Sequence, residues 1–295
     1  MQGTTVLSIE DKSLFDDFIH SDPPQASEYT FTNLFMWRRK YHPRWMITHE
    51  CLIIIMDPIG DPPFALFPIG LGNKRAALKV LNEMMLENLE GSRIFRVESR
   101  MLQEFVDTSE FEIEFDRDNC DYVYLSDDLI RLPGNKYHKK KNHLNRFKKK
   151  WDFEYRDFDI GLIDRVLQLQ EDWCEIKDCG ESPDLVYEDQ AVYEALKNYE
   201  ALGFKGGAIL INDKVEAFSF GEPLNTDTAV IHIEKANPEI PELYTVVNQM
   251  FAMNAWSDLK YINREQDLGL AGLRKAKESY YPDHLVEKYT LKTRI

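Results

Sequence analysis

Three strand-length runs stand almost end to end in the second half of the chain, at residues 207–211, 215–221 and 228–234. Asn212-Asp213-Lys214 separates the first two, a spacing that suits a tight antiparallel turn, so the runs predict a three-strand meander. A helix over 241–256 follows, with Pro241 near its first turn, then a short strand at 260–262, a helix at 270–280 and a last strand at 284–290. Before the meander, 153–158 reads as a strand, 162–176 as a helix, and 188–199 as a helix ending before Gly203. A chain ordered this way is expected to fold as an α/β domain with a mostly antiparallel central sheet.

The first half repeats the theme less regularly. Strands are predicted at 45–48, 51–56, 65–68, 93–97, 111–115 and 122–125. An amphipathic stretch spans 7–19, and short helical patterns lie between the strands. Asn73 is placed to cap a helix whose apolar residues Ala77, Leu78, Leu81, Met84, Met85 and Leu89 recur mostly at spacings of three and four. With 295 residues the chain has room for two domains. The turn pair Pro133-Gly134 gives a natural boundary, so the sequence divides into 1–134 and 135–295.

Charge excludes a general polyanion binder, because 51 acidic against 36 basic residues leave a net charge of -15. Any phosphate-rich partner needs a local basic patch, and one exists. Between Asp128 and Asp152 there are nine Lys or Arg residues and no acid. On a helix over 135–151, Tyr137, Leu144, Phe147 and Trp151 share one face, while Lys139, Lys141, His143, Arg146, Lys148, Lys149 and Lys150 occupy the rest. Such a face either clamps phosphates, as in a tRNA or a phosphorylated ligand, or is an ordinary solvated surface paired with acids elsewhere. Asn142 and His143 are its neutral polar members, able to contact a substrate or a neighbouring loop.

The four cysteines, Cys51, Cys120, Cys174 and Cys179, show no CxxC and no zinc-finger spacing with His, which points away from a structural metal or a disulfide framework. The first twenty residues lack a basic segment followed by an apolar one, and no apolar run approaches the roughly 20 residues of a membrane span. The expectation is a cytoplasmic protein.

The order strand, helix, helix, three-strand meander, helix, strand, helix, strand over 153–290 resembles the GNAT acyltransferase fold. The stretches KKKNHLNRFKKKW (139–151), GGAILINDKVEAFSFGE (206–222), VIHIEKA (230–236), YINREQDLG (261–269) and LRKAKESYYP (273–282) resemble the family related to the C-terminal domain of phosphatidylglycerol lysyltransferases. That resemblance implies an α/β fold of tandem GNAT-like domains with mostly antiparallel central sheets, the first copy being the more diverged. It also implies an acyltransferase, related to enzymes that take an amino acid from aminoacyl-tRNA.

Against that fold, several residues stand out. His232 and Glu234 share one face of the third meander strand, since side chains alternate with period two. The resemblance places them where an acceptor is activated, with Glu234 or His232 as general base and Lys235 steering an anion. The alternative is a structural ion pair from Glu234 to Arg264 or another cation. Asn263, Arg264, Glu265 and Asp267 end the following strand, where ligand groups collect in open α/β sheets. Arg264 could take a phosphate or carboxylate bidentately, and Glu265 or Asp267 a substrate amino group. Asp267 could equally cap the next helix. The resemblance makes Tyr280 or Tyr281 the candidate general acid. Lys277, with Lys275, could touch phosphate or complement its helix C-terminus.

The segment ANPEIPELY (236–244) has two prolines, two glutamates and no glycine where a CoA-dependent GNAT protein holds the pyrophosphate, which favours another acyl donor. The reading is aminoacyl transfer from aminoacyl-tRNA or a similar phosphorylated donor to an amine or hydroxyl, with no resident cofactor or metal. A CoA-dependent N-acetyltransferase and a non-catalytic binder of RNA, anionic phosphate ligands or phospholipid headgroups are the alternatives. A lipid acceptor has no support in the residues.

Overall fold

The computed structural model describes residues 3–88 and 93–294. Leu89, the last apolar position of the helix expected after Asn73, lies outside the described residues; the helix itself runs Lys74–Asn88, with Asn73 accepting from the Ala76 amide.

Among the described residues, fourteen strands form two seven-stranded sheets. They are β1 (Thr5–Val6), β2 (Arg44–Thr48), β3 (Cys51–Met56), β4 (Phe64–Leu66), β5 (Arg93–Glu98), β6 (Phe111–Phe115), β7 (Asp121–Leu125), β8 (Glu154–Asp157), β9 (Lys205–Ile211), β10 (Lys214–Pro223), β11 (Thr228–Ala236), β12 (Tyr261–Asn263), β13 (His284–Val286) and β14 (Lys288–Thr293). The first sheet has the order β1-β2-β3-β4-β5-β14-β6, and the second β13-β7-β12-β11-β10-β9-β8. In each, an antiparallel meander (β2-β3-β4, β9-β10-β11) is followed by a parallel pair (β4/β5, β11/β12) and then by antiparallel strands. The repeated order is the one anticipated from the meander and the helices around it.

The two sheets exchange strands. β7 follows β6 in sequence but pairs with β12 in the second sheet, and β14 follows β13 but inserts between β5 and β6 in the first. The chain accordingly divides into one compact unit of 1–121, 266–271 and 285–295, and another of 122–265 and 272–284. The chain passes between units at Asp121–Tyr122, not at the Pro133-Gly134 turn, and the single last strand expected at 284–290 is two strands broken at Glu287. The boundary shifts because strand membership is decided by ladder partners, which a local turn signal does not report.

In the second unit the helices Ile160–Ile176 and Leu243–Ala255 both pack on the β10/β11 part of the sheet, and the strands are almost continuously buried. Double coverage explains why these strands read as unbroken apolar runs and not as an alternating pattern. Gly221 is required at the β10 bulge, since a Cβ there would stand 2.1 Å from the Val230 carbonyl oxygen of β11.

Cys174 and Cys179 form a disulfide, contrary to the cysteine spacing argument; Cys51 and Cys120 are free and buried. The helix ends at Ile176, and Asp178, in the left-handed region at φ 51°, turns the chain back so that Cys179 meets the sulfur one turn behind it.

In the first unit the first residue of β14, Lys288, is fully buried and binds Asp121 Oδ1 and Glu28 Oε2, each at 2.6 Å. Asp121 also accepts from the Ser27 amide at 2.8 Å. Removing the cation alone leaves Asp121 buried without its counter-charge and Glu28 with Arg96, at 3.0 Å, as its remaining partner, so Lys288→Met should cost about 3–5 kcal/mol. In urea unfolding, adding Asp121→Asn should recover part of that loss; equal stability of Lys288→Met and the native chain would show the cluster to be inert.

Candidate active site

The parallel ladder between β11 and β12 is short. Thr228, Ala229 and Val230 pair with Tyr261, Ile262 and Asn263, after which β12 ends while β11 continues to Ala236. The chain beyond β12 is held from the other side: the Arg264 amide donates to the Tyr122 carbonyl at 2.9 Å, and the Tyr122 amide to the Glu265 carbonyl at 3.1 Å. Past Val230, β11 therefore lacks a ladder partner on its β12 side.

His232 and Glu234 lie on one face of β11, as the alternation requires. Glu234 Oε1 accepts from Arg264 Nη2 at 3.1 Å and Oε2 from Asn248 Nδ2 at 3.0 Å. The Arg264 guanidinium lies 4.9 Å from the centre of the Tyr280 ring and 5.6 Å from that of Tyr124. Tyr280 is buried, and its ring also carries the Lys140 ammonium at 3.8 Å. Glu234, Arg264 and Tyr280, chosen from three separate segments, thus meet at one place. Two buried polar atoms here, Arg264 Nη1 and Asn248 Oδ1, have no hydrogen-bond partner among the described residues. Buried orphans of this kind call for a partner, which a water, an ion or a ligand can supply.

Burial pushes the Tyr280 phenol up to about 12, against the opposing pull of Arg264, so it stays protonated at neutral pH. Burial likewise pulls the Lys140 ammonium down to about 8, and repulsion from Arg264 adds to it. Lys140, Asn248, Tyr124 and Glu222 are site residues not singled out from the sequence. Lys140 alone left a signal there: it sits three residues after Tyr137 and four before Leu144, on the packing face of the basic helix.

His232 has a different role from the base proposed for it. Its Nδ1 lies 2.9 Å from Glu265 Oε1 and its Nε2 2.9 Å from Glu222 Oε1. Two carboxylates accept only if both ring nitrogens carry protons, which makes the ring an imidazolium holding two acids in place. Burial opposes this charge, but the hydrogen bonds it donates to Glu222 and Glu265 prevail and push the pKa up to about 9. Asn263, fully buried, accepts from the Glu265 amide at 2.8 Å and shapes the turn in which Glu265 takes φ 56°. Lys277 donates to the Arg264 and Glu265 carbonyls.

The remaining candidates lie elsewhere. Lys235 points from the opposite face of β11, over the Trp173 ring at 3.5 Å and paired with Glu188. Asp267 belongs to the other compact unit, where it accepts from the Gly269 amide and pairs with Arg117 at 3.3 Å. The basic helix spans His138–Lys150, with the Asn135–Tyr137 turn before it. Lys139, Asn142, His143, Asn145, Arg146 and Lys149 line a shallow open depression of about 490 Å³ on its outer side. Asn142 contacts His138 at 3.3 Å, and burial and Arg146 lower the His143 pKa. Arg146 pairs with Glu242 at 2.8 Å, whereas Lys139, Lys141, Lys148 and Lys149 enter no ion pair among the described residues.

The fold, two similar mixed α/β sheets with mostly antiparallel strands, is that of tandem GNAT-like domains. The chain belongs to the family described as phosphatidylglycerol lysyltransferase, C-terminal, whose model matches residues 23–292. A conserved protein of unknown function from Bacteroides thetaiotaomicron has a similar crystal structure over the full length of both chains, with 32% identity and a TM-score of 0.92. The C-terminal domain of a putative lysylphosphatidylglycerol synthetase from Agrobacterium fabrum shares the fold at 12% identity and a TM-score of 0.68, over 98% of this chain and 93% of that one. An uncharacterized protein of Mycoplasmoides gallisepticum is 24% identical over 191 residues, 62% of this chain and 60% of that curated relative. No helix among the described residues is long and apolar enough to cross a membrane.

The His232 geometry fixes a pH dependence. The folded pKa, about 9, exceeds the ordinary 6.5, so the imidazolium's stabilisation is complete below about pH 6.5 and fades as pH rises through about 9. The stability difference between the native chain and His232→Asn, measured by urea unfolding at several pH values, should shrink along that window. A difference that grows with pH would mean a neutral ring in the folded state.

Proposed function

We propose that this protein transfers an aminoacyl group from aminoacyl-tRNA, or a similar phosphorylated donor, to an amine or hydroxyl acceptor. The observation that carries the reading is the meeting of Glu234, Arg264 and Tyr280 at the open side of β11, with a buried guanidinium N–H left over. Ester aminolysis or transesterification needs those three functions. The acceptor's nucleophilic N or O forms a bond to the ester carbonyl carbon and gives its proton to the Glu234 carboxylate. Charge gathers on the carbonyl oxygen, and Arg264 is the cation available to it. As the old C–O bond breaks, the Tyr280 hydroxyl protonates the departing ribose oxygen. Proton return from Glu234 to the phenolate resets the site.

The donor reading draws on two further features. The turn before the helix Leu243–Ala255 has its Glu239 and Ile240 amides bonded to Asn237, lacks amide N–H groups at Pro238 and Pro241, and places Glu242 at the helix N-cap with φ 68°. A CoA pyrophosphate there would find few donors and two carboxylates. Meanwhile the four outward lysines without ion pairs give a local attractive surface for a polyanion on a chain of net charge -15.

Transfer of radiolabelled amino acid from a charged tRNA pool to small amines and alcohols is the direct test. Glu234→Gln, Arg264→Met and Tyr280→Phe should each lower kcat by roughly 10²–10⁴. Acetyl transfer from acetyl-CoA, with its pyrophosphate bound at residues 237–243, would replace this reading by the CoA-dependent one. Separately, changing Lys139, Lys141, Lys148 and Lys149 to Gln should weaken tRNA binding and flatten its dependence on salt. An unchanged slope in a filter-binding series would leave the helix face as mere solvated surface.

A further inference from the structure

The buried charges around Tyr280 do not balance. Glu234 on β11 is the acid that faces Lys140, and Arg264, at the end of β12, already occupies one of its oxygens while Asn248 occupies the other. Lys140 is half-buried on the inward side of the basic helix, against the Tyr280 ring, with His143 on its own helix the neighbouring titratable group. No ion pair is made by Lys140 among the described residues, and Arg264 Nη1 is a buried donor with nothing to donate to. Two cations on one aromatic ring, sharing one carboxylate, form an arrangement that a single negative oxygen group completes.

We propose that Arg264 and Lys140 together form an oxyanion-binding site, to which Arg264 contributes Nη1 and Lys140 its ammonium. This deepens the aminoacyl-transfer reading by adding Lys140 as a second cation at the reacting centre. The same chemistry admits two sources of the anion: a permanent anionic group of the substrate, or the carbonyl oxygen that gains charge during transfer. The position of Lys140 differs from that of its neighbours in the lysine run. Lys139 and Lys149 line the outer depression, whereas Lys140 faces inward to Arg264 and Glu234.

The first arm of the test is equilibrium binding of sulfate, whose charge is constant across the pH range used, read as the rise in melting temperature over chloride at matched ionic strength. Sulfate should stabilise the native chain, and also the chain with Lys139, Lys141, Lys148 and Lys149 changed to Gln. Lys140→Met should weaken sulfate affinity roughly tenfold or more, and Lys140→Arg should restore it. Because the ammonium loses its proton near pH 8, the native chain's sulfate affinity should fall as pH rises through that value, and that of Lys140→Arg should not. Absence of sulfate stabilisation in the native chain, or an undiminished effect in a folded Lys140→Met, overturns the proposal. None of this requires turnover, so failed aminoacyl transfer with an intact sulfate site would reject the reaction and leave the site standing. The second arm is kinetic: a raised KM in Lys140→Met assigns the anion to the substrate, and a lowered kcat at constant KM assigns it to the developing oxyanion.

Discussion

A three-residue ladder governs the chemistry of the second unit. Parallel strands β11 and β12 stay paired only from Thr228–Val230 to Tyr261–Asn263. Had the ladder continued, β11 residues beyond Val230 would bond β12 edge to edge, and no group could enter between them. Its early end converts six residues of a central strand into an edge, which elsewhere is a liability but here is flanked by charged side chains. The exchange of β7 into this sheet supplies the complementary constraint. Through its bonds to Tyr122, the Arg264–Glu265 segment keeps strand-like support on its far side and is not left as a loose loop.

The polar groups form two layers with different duties. Glu222, His232 and Glu265 make a line of acid, imidazolium and acid, closed by bonds from the Glu265 amide to Asn263 Oδ1 and from Lys277 to the Arg264 and Glu265 carbonyls. Nothing in this line is well suited to give up a proton, because its one titratable cation is held charged from both sides. Its effect is positional: it fixes the turn that begins with Arg264. The second layer, Glu234, Arg264, Asn248, Tyr280 and Lys140, is the one with unsatisfied atoms. Burial raises the energetic stakes of each of them, since a bond left unmade inside a protein costs more than one left unmade in water.

Much of this was readable from residue order. The meander and the alternation on β11 put His232 and Glu234 on one face, an ion pair from Glu234 to Arg264 is among the roles its position offers, and Tyr280 arrives beside them. The strand exchange was not readable, because β7 and β14 have the same local signature whichever sheet receives them, and the break at Glu287 is a single residue. Lys140 was masked by its neighbours: in KKK, composition suggests one solvated run, while helical geometry turns the middle lysine inward. Asn248 and Glu222 come from apolar-rich segments whose polar member gains meaning only from a partner on another element. The Cys174–Cys179 bond escaped for the opposite reason, being too local to belong to any spacing motif, and depends on Asp178 reversing the chain.

The basic helix connects these layers to the outside, and its two sides constrain one another. Leu144 and Phe147 are buried, so the rotation of the helix about its axis is fixed by packing. That rotation determines which lysine turns inward and which remain in solvent. It also carries Arg146 to Glu242, the residue at the N-cap of Leu243–Ala255. An anion approaching that helix N-terminus meets a carboxylate already paired with a guanidinium, whereas one approaching along the outer lysines meets cations without ion pairs. The ion pair leaves that turn with little net charge to offer an anion, while the outer lysines of the basic helix keep theirs. The same packing that buries Leu144 and Phe147 thus sets which lysines stay in solvent and which one turns inward to the Tyr280 ring.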